Sequence, residues 1–471
     1  MAVAILIDFG STYTKVAAVD LEQDTFIGRA QAPSTVDTNV TQGLSRAINL
    51  LKEQTGITEP EISLRLACSS AAGGLRMVAI GLIGRLTAEA ANRAALGAGA
   101  KVVGVLERKL NWRTVEELEA SRPDVILLAG GTDGGNHEVI LLNAQVIAQS
   151  RVNAPVVVAG NEEATERVLK VFQEVGQPCY PCSNVMPTLQ TLNVEPAREV
   201  IQEVFIEHIV KAKGLEQAID HVGDIIMPTP MAVLRMAELL ATGVEGESGI
   251  GDTVVIDIGG ATTDIHSATK GTSKNPDIPM LGLEEPFAKR TVEGDLGLRV
   301  SARSLMDAYK RYTHLLPLDL LETLRTAEAA TRAEYLSENT SSLPSTTNEK
   351  HMDTVMASAA SWMAMERHAG VLVSDGRTAR TVQFGKDLSE VNVVIGTGGV
   401  FASGADPAAP LSASLYHLSN PFSLRPSNPE LYIDNNYIMY AGGLLATRYP
   451  EKAIRLIKKS LHREHLPASL D

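Results

Sequence analysis

The sequence predicts an α/β protein with at least two domains, and three observations carry this prediction. The same strand–turn–strand pattern occurs twice, at residues 5–15 and 254–264. Between the two copies, from about residue 71 to residue 187, apolar runs of strand length alternate with helical segments, which is typical of a parallel sheet covered by helices. The chain has 471 residues, which exceeds the usual size of a single hydrophobic core.

Each copy of the repeated pattern has the composition of a phosphate-binding hairpin. An apolar strand ends in an aspartate, Asp8 or Asp257, and a turn rich in glycine and hydroxyl side chains follows before the chain returns as a second strand. Glycine accepts positive φ angles and lets backbone N–H groups approach phosphate oxygens, while a carboxylate at the strand end can hold a hydrated Mg²⁺. Two such hairpins facing each other would bind one nucleotide.

A third glycine-rich element lies at residues 393–401, where an apolar strand runs into a turn. Helical segments with small residues at 228–237 and 440–446 suit two helices that cross closely. The order of these five elements resembles the superfamily of actin, sugar kinases and DnaK-type chaperone ATPases. This resemblance implies a two-lobed actin-like ATPase with duplicated ribonuclease-H-like lobes, in which residues 393–401 contact the adenosine.

The change of pattern along the chain divides the predicted fold into four segments. Residues 1–70 begin the first ATPase lobe, and a doubly wound α/β domain is inserted at residues 71–187. Residues 188–245 return to the first lobe and supply a connecting helix, and residues 246–471 form the second lobe.

Four strings, at residues 7–15, 67–75, 128–136 and 292–299, make the resemblance more specific. Together with the overall layout, they are similar to the glutamate mutase accessory family, called MutL or GlmL and unrelated to the mismatch-repair protein of similar name. This resemblance implies an ATP-dependent accessory or reactivating chaperone. Its partner would be an adenosylcobalamin-dependent carbon-skeleton mutase such as glutamate (methylaspartate) mutase, from which it would release damaged cobalamin.

The resemblance also implies ATP and Mg²⁺ as cofactors and gives roles to individual residues. Asp8 and Asp257 would act as metal ligands and catalytic residues by holding the hydrated Mg²⁺. The expected contacts with the phosphates and the nucleoside come from Gly10, Ser11, Thr12, Lys15, Gly259, Gly260, Ala261, Thr262, Gly396, Gly398 and Gly399. Lys15 has a second interpretation as the residue that simply ends its strand.

The sequence leaves the general base of hydrolysis open. DnaK-type relatives have an acidic residue in the first connecting segment, whereas the matching stretch here is Pro-Thr-Pro at residues 228–230. Asp264, Glu293 and Asp295 are candidate catalytic carboxylates, and each has the alternative role of capping a turn.

Three other functions compete with the accessory role. A small-molecule kinase would use the same hairpins to transfer phosphate to an acceptor. An activator of radical dehydratases would need interface cysteines for an iron–sulfur cluster. A non-hydrolysing actin-like scaffold would need neither a phosphate acceptor nor such cysteines.

Composition limits the classes of binding partner and the cellular compartment that we expect for this protein. The net charge is −14, from 42 basic and 56 acidic side chains, and no basic tract stands out, which argues against nucleic acid or an anionic membrane as a partner. The first residues lack a positive segment and run directly into the Asp8 hairpin, so we expect a cytoplasmic protein. The three cysteines do not suggest a disulfide framework. The sequence leaves open whether the protein forms a homo-oligomer.

Two further motifs have more than one interpretation. Cys179 and Cys182 form a C-x-x-C pair, which we interpret as two ordinary thiols, with metal or redox chemistry as the alternative. Asp133 lies in the glycine-rich string at residues 130–136. We interpret this string as a turn from strand to helix, with a ligand-binding loop as the alternative.

Overall fold

The computed structural model describes residues 2–10, 12–35, 40–70, 75–82, 90, 93–95, 100–189, 191–210, 225–273, 275–282, 285–374 and 380–465. The contacts within the chain divide it into two compact units. One unit consists of Met1–Ala4, Ala17–Arg29 and Ala232–Asp471, and the other of Ile5–Val16 and Ala30–Met231. The predicted α/β class is confirmed. Among the described residues, no helix is both long enough and apolar enough to cross a membrane.

Strands and helices alternate along much of the described chain. The strands are β1 (Val3–Phe9), β2 (Tyr13–Asp20), β3 (Thr25–Pro33), β4 (Ile62–Ser69), β5 (Leu75–Gly81), β6 (Ala100–Glu107), β7 (Val125–Leu128), β8 (Val156–Val158), β9 (Cys179–Pro181), β10 (Ile225–Pro228), β11 (Gly243–Val244), β12 (Glu247–Ser248), β13 (Thr253–Ile258), β14 (Thr263–Ala268), β15 (Met280–Leu281), β16 (Ala288–Glu293), β17 (Val371–Ser374), β18 (Thr381–Phe384), β19 (Val393–Thr397), β20 (Glu430–Asp434) and β21 (Leu461–Glu464). The α-helices are α1 (Val40–Thr55), α2 (Trp112–Ser121), α3 (Glu138–Gln149), α4 (Thr165–Val175), α5 (Glu195–Val204), α6 (Thr229–Thr242), α7 (Ala302–Ala308), α8 (Leu318–Leu324), α9 (Ala327–Glu338), α10 (Thr347–His368), α11 (Gly399–Ser403), α12 (Ala408–Ala413), α13 (Met439–Leu445) and α14 (Pro450–Ser460).

Each repeated hairpin belongs to its own sheet. The first hairpin, β1 and β2, lies in a five-stranded sheet of order β10-β4-β1-β2-β3. The second, β13 and β14, lies in a six-stranded sheet of order β16-β14-β13-β19-β20-β21. In that sheet β13, β19 and β20 are parallel neighbours, so their carboxyl ends meet at the same edge.

The main core of the six-stranded sheet lies on one of its faces. Val254, Ile256 and Ile258 of β13 and Ile265 of β14 pack there against α10. The middle of α10 is rich in alanine and methionine, and its residues from 355 to 365 are buried on all sides, as expected for a helix inside a core. Because side chains alternate along a strand, Asp257 and Asp264 lie on the opposite face of the sheet.

The segment between the hairpins contains a parallel sheet, as its alternating pattern predicts. Its order is β6-β5-β7-β8-β9, and every pair of neighbours is parallel. Both faces are buried, since Ile126 and Leu128 belong to a hydrophobic core on one side while Val125 and Leu127 are fully buried on the other.

The two helices that the sequence predicts to cross closely do so. A Cβ atom on Gly443 of α13 would lie 1.8 Å from the carbonyl oxygen of Ala232 in α6, so no larger residue fits at this crossing. Gly442 faces Met236 of the same helix, whose sulfur would be 2.7 Å from an added Cβ atom.

Candidate functional site

The turn of the first hairpin is closed by one backbone hydrogen bond. The N–H group of Gly10 donates to the carbonyl oxygen of Tyr13 at 3.1 Å, and a Cβ atom on Gly10 would lie only 2.6 Å from that oxygen. The turn therefore requires glycine. Thr12 is exposed beside it, and Ser11, which the sequence assigns to the phosphates, lies outside the described residues.

Asp8 ends the apolar part of β1 and is 1% exposed. Lys15 Nζ donates to its Oδ2 atom at 2.8 Å, and Thr229 Oγ1 donates to its Oδ1 atom at 2.5 Å. Cys68 Sγ lies 3.8 Å from the same Oδ1 atom. Burial raises the pKa of the Cys68 thiol, so it stays a neutral S–H donor. Both oxygens of Asp8 are thus held in place by neighbouring donors.

Sequence reasoning did not identify Cys68. This residue lies in β4, the neighbour of β1 in the sheet, and only the strand order brings it to Asp8. The available signals were its position near the end of an apolar strand and its place in the string at residues 67–75.

The second hairpin has the same closing hydrogen bond, from the N–H of Gly259 to the carbonyl oxygen of Thr262 at 2.9 Å. The carbonyl oxygens of Gly259, Gly260 and Ala261 accept hydrogen bonds from donors within residues 298–301, at 2.7 to 3.1 Å. The N–H groups of Gly260 and Ala261 donate to no residue that the structure describes. A turn with its carbonyl groups tied back and its N–H groups available fits an anion such as a phosphate.

Register places a row of polar side chains across the six-stranded sheet. Asp257 is paired with Asp264 on one side and with Thr397 on the other. Asp264 forms a buried ion pair with Arg290 of β16, whose Nη2 atom is 2.6 Å from its Oδ1 atom, and Thr262 Oγ1 donates to its Oδ2 atom at 2.8 Å. Two carboxylates therefore meet at the end of β13, and Arg290 balances one of them.

The row continues to Asp434, which sequence reasoning missed. Thr397 Oγ1 donates to its Oδ2 atom at 2.9 Å, and the N–H groups of Ile438 and Met439, where α13 begins, donate to the same atom at 2.7 and 2.8 Å. Burial raises the pKa of Asp434. Like the aspartates of the two hairpins, Asp434 ends an apolar strand, and this signal could have found it.

The three glycines of the predicted adenosine motif have different surroundings. At Gly396 the ring of Phe401 would lie 2.4 Å from an added Cβ atom, so this glycine is required for packing. Gly398 has a φ angle of +106°, and its added Cβ atom would lie 3.1 Å from Asp257 Oδ1. Gly399 is exposed, and an added Cβ atom would meet nothing within 4 Å. Of the three, Gly399 offers open surface to a nucleoside.

Glu293 and Asp295 share one guanidinium group. Arg367 Nη1 lies 2.5 Å from Glu293 Oε2 and 2.7 Å from Asp295 Oδ1, and Arg367 Nε donates to the hydroxyl of Tyr312 at 3.1 Å. Burial raises the pKa of Glu293. Burial acts to raise the pKa of Asp295, but the hydrogen bonds and the positive charge of Arg367 together outweigh it and lower that pKa. Of the two carboxylates, Glu293 thus takes up a proton more readily.

The remaining motifs lie in the parallel sheet and its loops. Burial raises the pKa of both Cys179 and Cys182 to about 12, so both are poor thiolates. Asp133 follows β7, and its Oδ1 atom accepts from the side chain of Asn184 at 2.9 Å and from the N–H of Glu162 at 3.1 Å. These bonds link three loops at one edge of the sheet.

The chain has two glycine turns, each closed by the same backbone hydrogen bond and each beside a strand-end aspartate, and N–H groups in such turns can bind an anion. The sequence profile of the family described as MutL protein matches residues 4–461. Protein MutL of Clostridium tetanomorphum is 47% identical over 459 residues, which are 97% of this chain and 98% of that protein. The chain belongs to the MutL protein family, and the resemblance found in its sequence is confirmed.

Solved structures show weaker similarity. Nucleotide-free acetone carboxylase has 14% identity and a TM-score of 0.38, over 94% of this chain and 70% of that one. The nucleotide-free diol dehydratase-reactivating factor has 12% identity and a TM-score of 0.32, over 95% and 99%. The activator of 2-hydroxyisocaproyl-CoA dehydratase from Clostridium difficile, with bound ADPNP, has 9% identity and a TM-score of 0.32, over 97% and 95%. All three TM-scores are below 0.5.

Proposed function

We propose that this protein is an Mg²⁺-dependent ATPase that serves an adenosylcobalamin-dependent carbon-skeleton mutase in the cytoplasm and releases damaged cobalamin from it. The observation that carries the ATPase proposal is the repeated hairpin, in which the same glycine hydrogen bond closes the turn beside a strand-end aspartate. Membership of the MutL family supports the accessory role, because resemblance to the glutamate mutase accessory family implies a protein that assists a glutamate mutase.

The residues around both hairpins suit Mg-ATP. Mg²⁺, when bound, neutralises phosphate charge and orders water around it. Asp8 and Asp257 would hold its hydration shell, since both are carboxylates fixed at strand ends. The N–H groups of Gly260 and Ala261 would donate to phosphate oxygens, and Gly399 would lie against the nucleoside.

The general base is proposed among three carboxylates. Asp264 is held in a buried ion pair with Arg290, and the lowered pKa of Asp295 makes that carboxylate a weaker base. Glu293, with its raised pKa, is the strongest candidate to take a proton from an attacking water.

We propose that the parallel-sheet segment binds the mutase. The sequence delimits this segment as residues 71–187. Replacing this segment with a short linker should abolish association with the mutase while the rest of the chain still binds nucleotide. Circular dichroism must first show that the shortened protein is folded. Loss of nucleotide binding in a folded variant would instead place this segment in the nucleotide site.

The decisive experiment measures phosphate release and mutase activity together. We expect slow ATP hydrolysis by the protein alone, faster hydrolysis with a cobalamin-inactivated mutase, and return of mutase activity only when ATP and Mg²⁺ are present. A hydrolysis rate that the mutase leaves unchanged, but that a small phosphate acceptor increases, would favour the small-molecule kinase hypothesis. Nucleotide binding without hydrolysis under any condition would favour the actin-like scaffold.

A further inference from the structure

Asp434 joins two elements that are distant along the chain. Its Oδ2 atom accepts from the Thr397 hydroxyl at 2.9 Å and from the N–H groups of Ile438 and Met439 at 2.7 and 2.8 Å. The first donor ends β19, just before a glycine turn, and the other two lie where α13 begins. A single oxygen atom therefore holds the turn and the helix in a fixed relation.

These hydrogen bonds lie inside the protein, where a lost donor or acceptor is costly. Asp434 and Thr397 are each 1% exposed. The other carboxylate oxygen of Asp434, Oδ1, accepts from no residue that the structure describes. The hydrogen bonds that Asp434 accepts from the described residues are thus concentrated on the one atom that joins the turn to the helix.

Thr397 extends this restraint to the second hairpin, because it is paired in register with Asp257. The next residue, Gly398, has a φ angle of +106°. A Cβ atom added to Gly398 would lie 2.6 Å from the carbonyl oxygen of Ile258 and 3.1 Å from Asp257 Oδ1. Packing this close means that the turn cannot shift toward the hairpin unless the end of β13 moves with it.

The first sheet contains a related arrangement. In the orders β10-β4-β1 and β20-β19-β13, the strand two places from the hairpin aspartate leads into a helix, α6 or α13. Thr229, the first residue of α6, donates to Asp8 at 2.5 Å. A polar side chain at this junction of strand and helix thus restrains the hairpin in both sheets, directly in the first and through Thr397 in the second.

We propose that Asp434 is a positioning residue for nucleotide binding, which holds the turn at residues 397–399 against Asp257 through the Thr397 hydroxyl. This role rests on the proposed function, in which Gly399 lies against the nucleoside. Asp434 acts through the turn and does not itself contact the nucleotide. Without the link, the free protein would occupy turn conformations that do not bind, and its affinity for nucleotide would fall.

Equilibrium dialysis of the full-length protein with ADP and Mg²⁺ tests the proposal. Thr397→Val removes the hydroxyl but keeps the shape of the side chain. The dissociation constant of ADP should rise by about tenfold, the effect of losing one hydrogen bond to a carboxylate, while the number of binding sites per chain stays the same. A purely structural role would do the opposite, since unfolded chains lose their sites and folded chains keep the wild-type dissociation constant.

Thr253→Val is the matched control. Thr253 is fully buried at the other end of β13, and its hydroxyl donates to the carbonyl oxygen of Gly251 at 2.8 Å. This variant also loses one hydrogen bond of a buried threonine, but at a distance from the turn. It should bind ADP as the wild type does.

Two changes at Asp434 separate its acceptor oxygen from its charge. Asp434→Asn keeps an oxygen for the three donors and should bind ADP within about threefold of the wild type. Asp434→Leu removes the acceptor and should bind ADP at least about tenfold more weakly. Wild-type affinity for ADP in Thr397→Val, or in an Asp434→Leu protein that circular dichroism shows to be folded, would overturn the proposal.

The wild type separates this outcome from that of the proposed function. A wild-type protein that binds no ADP would overturn both proposals. A wild type that binds ADP but does not hydrolyse ATP would exclude the ATPase, and a tenfold weaker Thr397→Val would still support the role of Asp434. ATP hydrolysis by a wild type whose ADP affinity Thr397→Val leaves unchanged would do the reverse.

Discussion

The two glycine hairpins share a turn but differ in what lies opposite the strand-end aspartate. Counted from the closing hydrogen bond, Lys15 of the first hairpin and Asp264 of the second occupy the same position. Lys15 forms an ion pair with Asp8 inside its own hairpin. Asp264 is paired in register with Asp257, and its counter-charge comes from Arg290 on the next strand.

This difference gives the two hairpins different electrostatic tasks. The first is balanced within itself, so its aspartate is fixed in position and its lysine lies next to the turn. The second brings two carboxylates together in register, and we propose that this pair attracts a cation and the water that the cation orders. The two turns thus have the same backbone geometry, and the residue at the position of Lys15 or Asp264 sets the local charge of each hairpin.

Removing the carboxylate of the second hairpin should have the largest effect. Asp257→Asn should lower ATP turnover by about 10²- to 10³-fold, because it removes charge stabilisation at the developing transition state while keeping the volume of the side chain. Asp8→Asn should lower turnover to a similar degree and also reduce the free energy of unfolding by about 2 kcal/mol, because the ion pair between Lys15 and Asp8 is lost.

Phosphate release and chemical denaturation of both variants check this expectation. Asp277→Asn, a change of the same kind in an exposed loop, serves as the control and should behave as the wild type. Undiminished turnover in Asp257→Asn would show that the charge difference between the hairpins does not contribute to catalysis.

The counter-charge of the second hairpin should matter next. Arg290→Met leaves Asp264 buried without a cation and should reduce the free energy of unfolding by about 3 kcal/mol. Adding Asp264→Leu should restore much of that loss, because neither charge then remains buried. Hydrogen–deuterium exchange of β13 and β14 reports the effect locally. Equal exchange in the single and double variants would mean that Asp264 is well solvated.

The first hairpin should depend on a hydroxyl donor outside it. Thr229→Val removes the donor at 2.5 Å from Asp8 while keeping a branched side chain, and ATP turnover should fall by about tenfold. Thr242→Val, at the exposed end of the same helix, is the matched control. If the two variants have the same turnover, the Thr229 hydroxyl does not position Asp8 for catalysis.

The sequence was sufficient to predict structural elements that depend on consecutive residues. Both hairpins, the strand before Gly396 and the parallel sheet follow from runs of apolar residues and the glycines that end them. It was insufficient where partners are distant along the chain, as for Thr229 and Asp8, which are 221 positions apart. The pairing of Asp264 with Arg290 likewise depends on which strands are neighbours, and no local pattern encodes that.

A further difference between the hairpins is expected only at low pH. The position of Ala17 in the first hairpin corresponds to His266 in the second, counted from the closing hydrogen bonds. His266 is fully buried, its ring nitrogens have no hydrogen-bond partner in the described part of the chain, and burial lowers its pKa from 6.5 to about 3. Asp264 opposes this shift and Arg290 adds to it.

The folded state therefore keeps His266 neutral, whereas the unfolded chain takes up a proton below about pH 6.5. The contribution of His266 to stability is complete above that pH and is lost as the pH falls toward 3, at about 1.4 kcal/mol per pH unit. His266→Leu should reduce the slope of unfolding free energy against pH between 6 and 4 by about that amount, while His351→Leu at an exposed site should not. Denaturant titrations at several pH values measure the slope, and equal slopes in the wild type and His266→Leu would show that the imidazole takes up its proton without unfolding the second hairpin.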